Sequence, residues 1–311
     1  MRWEFHGLIV DGIWTDDQIG ERWQLTFGPR PLTTQPATLT FHLALTPAVP
    51  APPPSPPDFQ QGELLAYYVA GQKVIARFPR YGQLQLDLAA GTTTGQIVAE
   101  ALATYGVFED LLAIGLSPHL RRRGMFLIHA FAATPPEVEA GVLLVGDIGA
   151  GKTTTGLALL HAGWKLLSND SPILTPTAQV LAYPGLLSAY PNTLARFPEL
   201  AALNTTPALS EKKLFAAEAV YPAVWREAAP LRAIFFPQIE PRADHALERL
   251  SAPDALRELL PHAIEQWDRA MIPTHLALLS QIAQNIPAYR LRLGPTTETI
   301  PAQLMQALQN P

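Results

Sequence analysis

The sequence predicts an α/β domain preceded by a smaller, β-rich α+β domain. Two observations carry this. At residues 37–45 and again at 83–88, apolar and polar residues nearly alternate, as half-buried strands require; from residue 125 onward, short apolar runs alternate with stretches of helical period. The run at 141–145 leads straight into a glycine-rich octapeptide and then a helical pattern. We set the boundary at 118, giving domains 1–118 and 119–311.

In the first domain, residues 37–45 and 83–88 alternate as strands, and 67–78 reads as a hairpin turning at Ala70-Gly71-Gln72-Lys73. The tract at 47–57, PAVPAPPPSPP, lacks the donors a sheet needs and is expected to be an extended, exposed loop; a ligand for a proline-binding module is the weaker alternative. Residues 95–116 have a helical period. Arg121-Arg122-Arg123-Gly124 then reads as a helix end, with phosphate binding as the minority reading.

In the second domain, strands are expected at 125–131, 141–145, 164–168, 231–236 and 289–293. Helices are expected at 153–162, 252–260, 262–271 and 301–308.

The 311 residues are 48% hydrophobic and 16% charged, enough apolar material for a core and too little charge for a disordered chain. A formal charge of −5 lacks the basic footprint of a nucleic-acid binder. With no cysteine, disulfides, thiolate zinc sites and a cysteine nucleophile are excluded. The N-terminus lacks the apolar core of a signal peptide, and no run approaches the roughly 20 apolar residues of a membrane span. The expectation is a cytoplasmic protein without nucleic-acid or membrane partners; homo-oligomeric assembly is left open.

Gly146-Asp147-Ile148-Gly149-Ala150-Gly151-Lys152-Thr153 satisfies G-x-x-x-x-G-K-[ST] between a strand and a helix, the P-loop pattern. Its glycines let backbone N–H groups wrap a phosphate, and the helix N-terminus adds positive partial charge. Lys152 is placed for the β/γ-phosphates and the Thr153 hydroxyl for Mg²⁺, with Thr154 next along the helix. The expected ligand is a nucleoside triphosphate, ATP with Mg²⁺.

The strand at 231–236 ends at Pro237 without an acid. Asp170 is the well-placed carboxylate. It lies 18 residues past Lys152, a span for one helix, a turn and a strand that returns to the ligand-binding edge of the sheet. A turn cap before Pro172 is the plainer alternative. His129, on the strand before the P-loop strand, is a second candidate; a structural histidine is its plainer reading. Lys212 and Lys213 reach either a phosphate or only solvent. His262, Glu265 and Asp268 share a helical spacing that could suggest a metal, but a solvated helix face is the expectation.

These residues together resemble HPr kinase/phosphorylases, whose sequences run from a strand with His-Gly through Gly-Val-Leu-Ile, a loop like Gly-Asp-Ser-Gly-Ile-Gly-Lys-Ser, and Arg-Gly-His-Arg-Leu to Asp-Asp. Here the matching stretches are Ile128-His129-Ala130, Gly141-Val142-Leu143-Leu144, the P-loop, Ala162-Gly163-Trp164-Lys165-Leu166 and Asn169-Asp170. Arg123-Gly124 followed by Ile128-His129 looks still more like the looser group of HPr-kinase-related kinases. The likeness is concentrated in residues 123–170, and the N-terminal part does not share it.

The resemblance implies a P-loop kinase domain of the HPr kinase C-terminal type. It implies transfer of a γ-phosphoryl group to the hydroxyl of a protein, a peptide or a small molecule. It makes Asp170 the base and a Mg²⁺ ligand, and sets His129 near the transferred phosphate. Two departures matter. Asn169 replaces the first aspartate of the pair, and the family's Mg²⁺-holding glutamate has no clear match, Glu199 and Glu211 being guesses. Phosphorylase activity is therefore not expected, and a nucleotide-sensing binding protein with little or no kinase activity is the alternative.

Overall fold

A computed structural model describes residues 1–28, 32–203, 212–241 and 243–309. The architecture is mixed α/β with several sheets. The chain divides into two compact units. One is Met1–Gly124 with Glu265–Met271; the other is Met125–Ile264 with Ile272–Pro311. Position 118 lies inside the helix Val107–Arg121, which runs on to the arginine cluster.

The described residues of the first unit contain an eight-stranded sheet. The strand Leu39–Leu45 buries Leu39, Phe41 and Leu43, its alternate residues, as the period of two demands. The strands Leu65–Ala70 and Lys73–Phe78 form the expected hairpin, with Gly71 at φ 64° in the turn. The proline tract lies between the strands Leu39–Leu45 and Phe59–Gln61 and is mostly exposed. The expected helix over 95–116 begins later. Thr92–Ile97 is a strand paired on both sides, and helix follows only at Glu100–Ala103 and Val107–Arg121. Ladder hydrogen bonds override local period there.

The expected helix over 262–271 is not formed. The helix Ala252–Leu259 passes into a 3₁₀ turn, Leu260–His262, and Glu265–Met271 then belongs to the first unit as turns. The solvated-face reading fails with it. Asp268 is buried and its carboxylate takes hydrogen bonds from Arg121 Nε at 3.0 Å and Arg122 Nη1 and Nη2 at 2.9 and 3.0 Å. Trp267 stacks on Tyr67 at 4.5 Å. The arginine cluster thus ends a helix, as expected, and also neutralises a buried carboxylate.

The second unit is built on a sheet ordered, by strand, Lys165–Ser168, Ala130–Thr134, Gly141–Val145, Ala228–Ile239, Gln179–Leu181, Ile173–Leu174, Phe126–Leu127, with Ala288–Leu293 also paired to Ala228–Ile239. Gly141–Val145 runs parallel to Ala228–Ile239 and is buried throughout. The helix Lys152–His161 packs on this sheet through Gly156, where a Cβ would stand 2.5 Å from the Phe131 ring. Only a glycine lets helix and strand approach so closely.

The helix Ile272–Asn285 was not anticipated from sequence; it buries His275, Leu278, Leu279 and Ile282. No helix among the described residues is long and apolar enough to cross a membrane.

The buried Asp268 cluster is testable. Asp268→Ala leaves Arg121 buried without its counter-charge and should destabilise the protein by about 3–5 kcal/mol, read as a lower urea midpoint.

Candidate active site

Three strand ends meet at one edge of the second sheet. Gly141–Val145 ends there and opens the P-loop. Ala130–Thr134, antiparallel to it with Ala130 opposite Val145, begins there. Lys165–Ser168, antiparallel to Ala130–Thr134, ends there again. The P-loop, His129 and Asp170 therefore share this edge. The helix Lys152–His161 accounts for the return path that the 18-residue spacing suggested.

The P-loop turns on three glycines with left-handed backbone, Gly146 at φ 159°, Gly149 at φ 88° and Gly151 at φ 104°. A Cβ on Gly151 would also stand 2.6 Å from Leu293 Cδ1. The Lys152 ammonium donates to the carbonyls of Gly146 and, at 3.2 Å, Asp147. Burial lowers its pKa; the carboxylates of Asp170 and Asp147 oppose this, and Lys212 adds to it. Thr153 is partly exposed on the first helical turn. Thr154 Oγ1 lies 3.4 Å from Thr193 Oγ1. Asp147 and Ile148 stand at the loop tip, 94% and 86% exposed. Ala150 donates its amide back to the Asp147 carbonyl at 3.2 Å, closing the turn.

His129 is not on a strand. It occupies a bend between Phe126–Leu127 and Ala130–Thr134, because the chain changes partner there, from Ile173–Leu174 to Gly141–Val145. Its Nδ1 lies 3.1 Å from Asp170 Oδ1. A carboxylate only accepts, so Nδ1 carries the proton in this contact. Asp170 is half-exposed, and its carbonyl takes the Ala130 amide at 3.1 Å. Ser168 Oγ caps the turn by accepting the Ser171 amide at 3.1 Å, which leaves the Asp170 side chain for the site. Asn169 is turned elsewhere, donating from Nδ2 to the Leu186 carbonyl at 3.1 Å, a bond an aspartate could not make.

Other candidates fall differently. Glu199 lies with His161 at 2.9 Å and the Tyr221 hydroxyl at 3.0 Å, a structural cluster. Glu211 lies outside the described residues. The strand through Pro237 continues to Ile239, so Glu240 follows it, but this carboxylate is bound by Arg292 at 2.6 Å. Lys212 is part-buried, its ammonium 5.4 Å from the Tyr190 ring, and close enough to act on Lys152. Lys213 opens a strand paired with Leu187–Ala189. Neither lysine lies on a wholly solvated face.

His262 is the site residue that sequence reasoning assigned to the wrong setting. Its carbonyl accepts the His129 amide at 2.7 Å, its Nε2 lies 3.9 Å from Asp147 Oδ1, and its ring faces His129 at 6.2 Å. No local signal marks it, since the contact spans more than a hundred residues.

The donors fit Mg²⁺ in kind. Thr153 and Asp170 offer hard oxygens, and Mg²⁺ on a nucleotide takes one or two carboxylates with phosphate oxygens completing the shell. Among the described residues no group of three His, Asp or Glu side chains forms a metal site by itself.

No family model matches the chain, and no curated protein matches it by sequence. A structural comparison finds similarity to the HPr(Ser) kinase/phosphatase from Coxiella burnetii, at 11% identity and a TM-score of 0.30, covering 59% of this chain and 94% of that one.

Burial lowers the His262 pKa; Asp147 opposes this, while His129 and Lys152 lower it further. Its imidazole should therefore titrate below an ordinary histidine and be neutral at pH 7. Asp147→Asn removes the opposing charge and should lower that pKa again, as followed by NMR of the imidazole resonances; a rise would contradict the geometry.

Proposed function

We propose that this protein is an ATP-dependent kinase that transfers the γ-phosphoryl group to a hydroxyl on a protein, a peptide or a small molecule. The observation that carries the reading is the meeting of the P-loop with the hydrogen-bonded His129–Asp170 pair at one sheet edge, where Asp170 and Lys152 interact electrostatically. A carboxylate there can serve both as a ligand for Mg²⁺ and as a base for a hydroxyl acceptor.

Phosphoryl transfer depends on positioning and charge neutralisation more than on covalent chemistry by the protein. The P-loop amides and Lys152 would hold the β- and γ-phosphates. Thr153 and Asp170 would hold Mg²⁺, which when bound neutralises charge on the phosphate oxygens. The acceptor oxygen bonds to the γ-phosphorus, the bond to the β–γ bridging oxygen breaks, and ADP leaves. The acceptor proton passes to the Asp170 carboxylate, which His129 orients by its Nδ1–H.

A specific observation favours a second reading, a nucleotide-sensing regulatory protein. Asn169 places an amide where the resembling family has a second carboxylate, so the site holds one acid fewer.

Lys152→Ala should weaken Mg·ATP binding about 10- to 100-fold, the ~1.5–3 kcal/mol of hydrogen bonds to a charged group, measured by calorimetry. Unchanged affinity refutes the nucleotide site.

Asp170→Asn keeps the shape and removes the base. Transfer of labelled phosphate to acceptors in a cell extract should fall by roughly 10²–10⁴-fold while Mg·ATP still binds. Transfer at the wild-type rate refutes Asp170 as the base, and a wild-type protein that binds Mg·ATP and labels nothing favours the sensing alternative.

A further inference from the structure

His262 is joined to both halves of the site. Its backbone carbonyl holds the amide of His129, and its ring reaches the carboxylate of Asp147 at the P-loop mouth. The ring is the fixed member of that second contact: its side chain is 12% exposed, against 94% for Asp147. What fixes it is the helix Ala252–Leu259, capped by Ser251, and the turn after it. The Ser251 hydroxyl accepts the Asp254 amide at 3.3 Å, and the Leu260 carbonyl accepts the Ile264 amide at 3.2 Å. Leu259 and Ala263, on either side, are buried.

Asp147 poses a physical problem in a loop that is to wrap a triphosphate. A carboxylate at the mouth of that loop repels a γ-phosphate, and the repulsion grows as water is excluded. Lys152 binds the carbonyl of Asp147, not its side chain. The His262 Nε2 stands 3.9 Å from an oxygen of the carboxylate itself, a distance that a small turn of the exposed Asp147 side chain closes to a hydrogen bond. In its neutral form it still offers one N–H to an acceptor.

We propose that His262 is a positioning residue of the phosphoryl-transfer site, holding the Asp147 carboxylate away from the γ-phosphate while its carbonyl sets the place of His129. This rests on the kinase reading above. It makes His262 a determinant of ATP over ADP, because only the γ-phosphate meets the carboxylate that His262 restrains. The ring's contact at the loop is with Asp147 and the backbone carbonyl's is with His129, so the positioning effect of His262 passes through these two.

The test compares Mg·ATP and Mg·ADP affinities of the full chain by calorimetry. His262→Leu should weaken Mg·ATP about 5- to 30-fold, a coupling typical of two linked sites, and leave Mg·ADP within about 2-fold. His262→Gln, which keeps a donor, should retain most of the preference. Asp147→Asn added to His262→Leu should restore Mg·ATP binding, since the repelling charge is gone; a packing role for His262 predicts no such rescue. A His262→Leu variant with both affinities unchanged, or both weakened equally, overturns the proposal, and so does a failed rescue. Cooperative urea unfolding verifies that the variant is folded. If it is not, His262→Met, which also lacks an N–H donor, takes its place under the same outcomes. A wild-type protein that binds neither nucleotide refutes the kinase reading itself, before any variant is compared.

Discussion

The amides of Ile128, His129 and Ala130 donate to carbonyls from two separate stretches of chain, the turn at 170–172 and His262. Ile128 takes Pro172 at 3.1 Å, His129 takes His262 at 2.7 Å and Ala130 takes Asp170 at 3.1 Å. Buried amides must find acceptors, and here three in succession find them in different places. The bend that results brings His129 out of the strand and against Asp170. It also draws the Leu260–His262 turn to the P-loop. The backbone of one tripeptide thus locates most of the polar groups around the phosphate cradle, and their side chains inherit that geometry.

The charges at this edge are few and opposed. Lys152 sits between two carboxylates, Asp170 and Asp147, with Lys212 as a further cation. Asn169 is engaged with the Leu186 carbonyl, and Glu240, which follows the strand Ala228–Ile239, with Arg292. Asp170 is the carboxylate that acts on the lysine and also meets His129. Such an arrangement suits a reaction in which the protein holds and neutralises more than it bonds.

Backbone freedom is used sparingly and where space is short. Gly151 turns the loop where Leu293 leaves no room for a Cβ, and Gly156 lets the following helix lie against Phe131. The first of these shapes the cradle; the second sets how close the helix N-terminus comes to the sheet. Substituting either would move the phosphate site without touching a polar group.

What the sequence determined by itself was local. The octapeptide Gly146 to Thr153 names its own chemistry, because a strand, three glycines, a lysine and a hydroxyl in that order have few other uses. The strand Leu39–Leu45 was legible because half-burial on a sheet imposes a period of two, and Gly141–Val145 because burial on both faces leaves an unbroken apolar run. Asp170 was legible from its distance to Lys152, since one helix and one strand return a chain to the edge it left. What the tertiary structure decided was every pairing across the chain. Asp268 looked solvated until Arg121 and Arg122 closed on it, 147 and 146 residues away in sequence. Residues 95–97 fell in a stretch of helical period and became the end of the strand Thr92–Ile97 because two neighbours supplied ladder partners. His262 read as one face of a helix, and the helix ended first, handing its carbonyl to His129. Periodicity reports what a residue shares with its neighbours in sequence; a hydrogen bond or an ion pair between distant segments leaves no such period, and only the folded chain brings its two ends together.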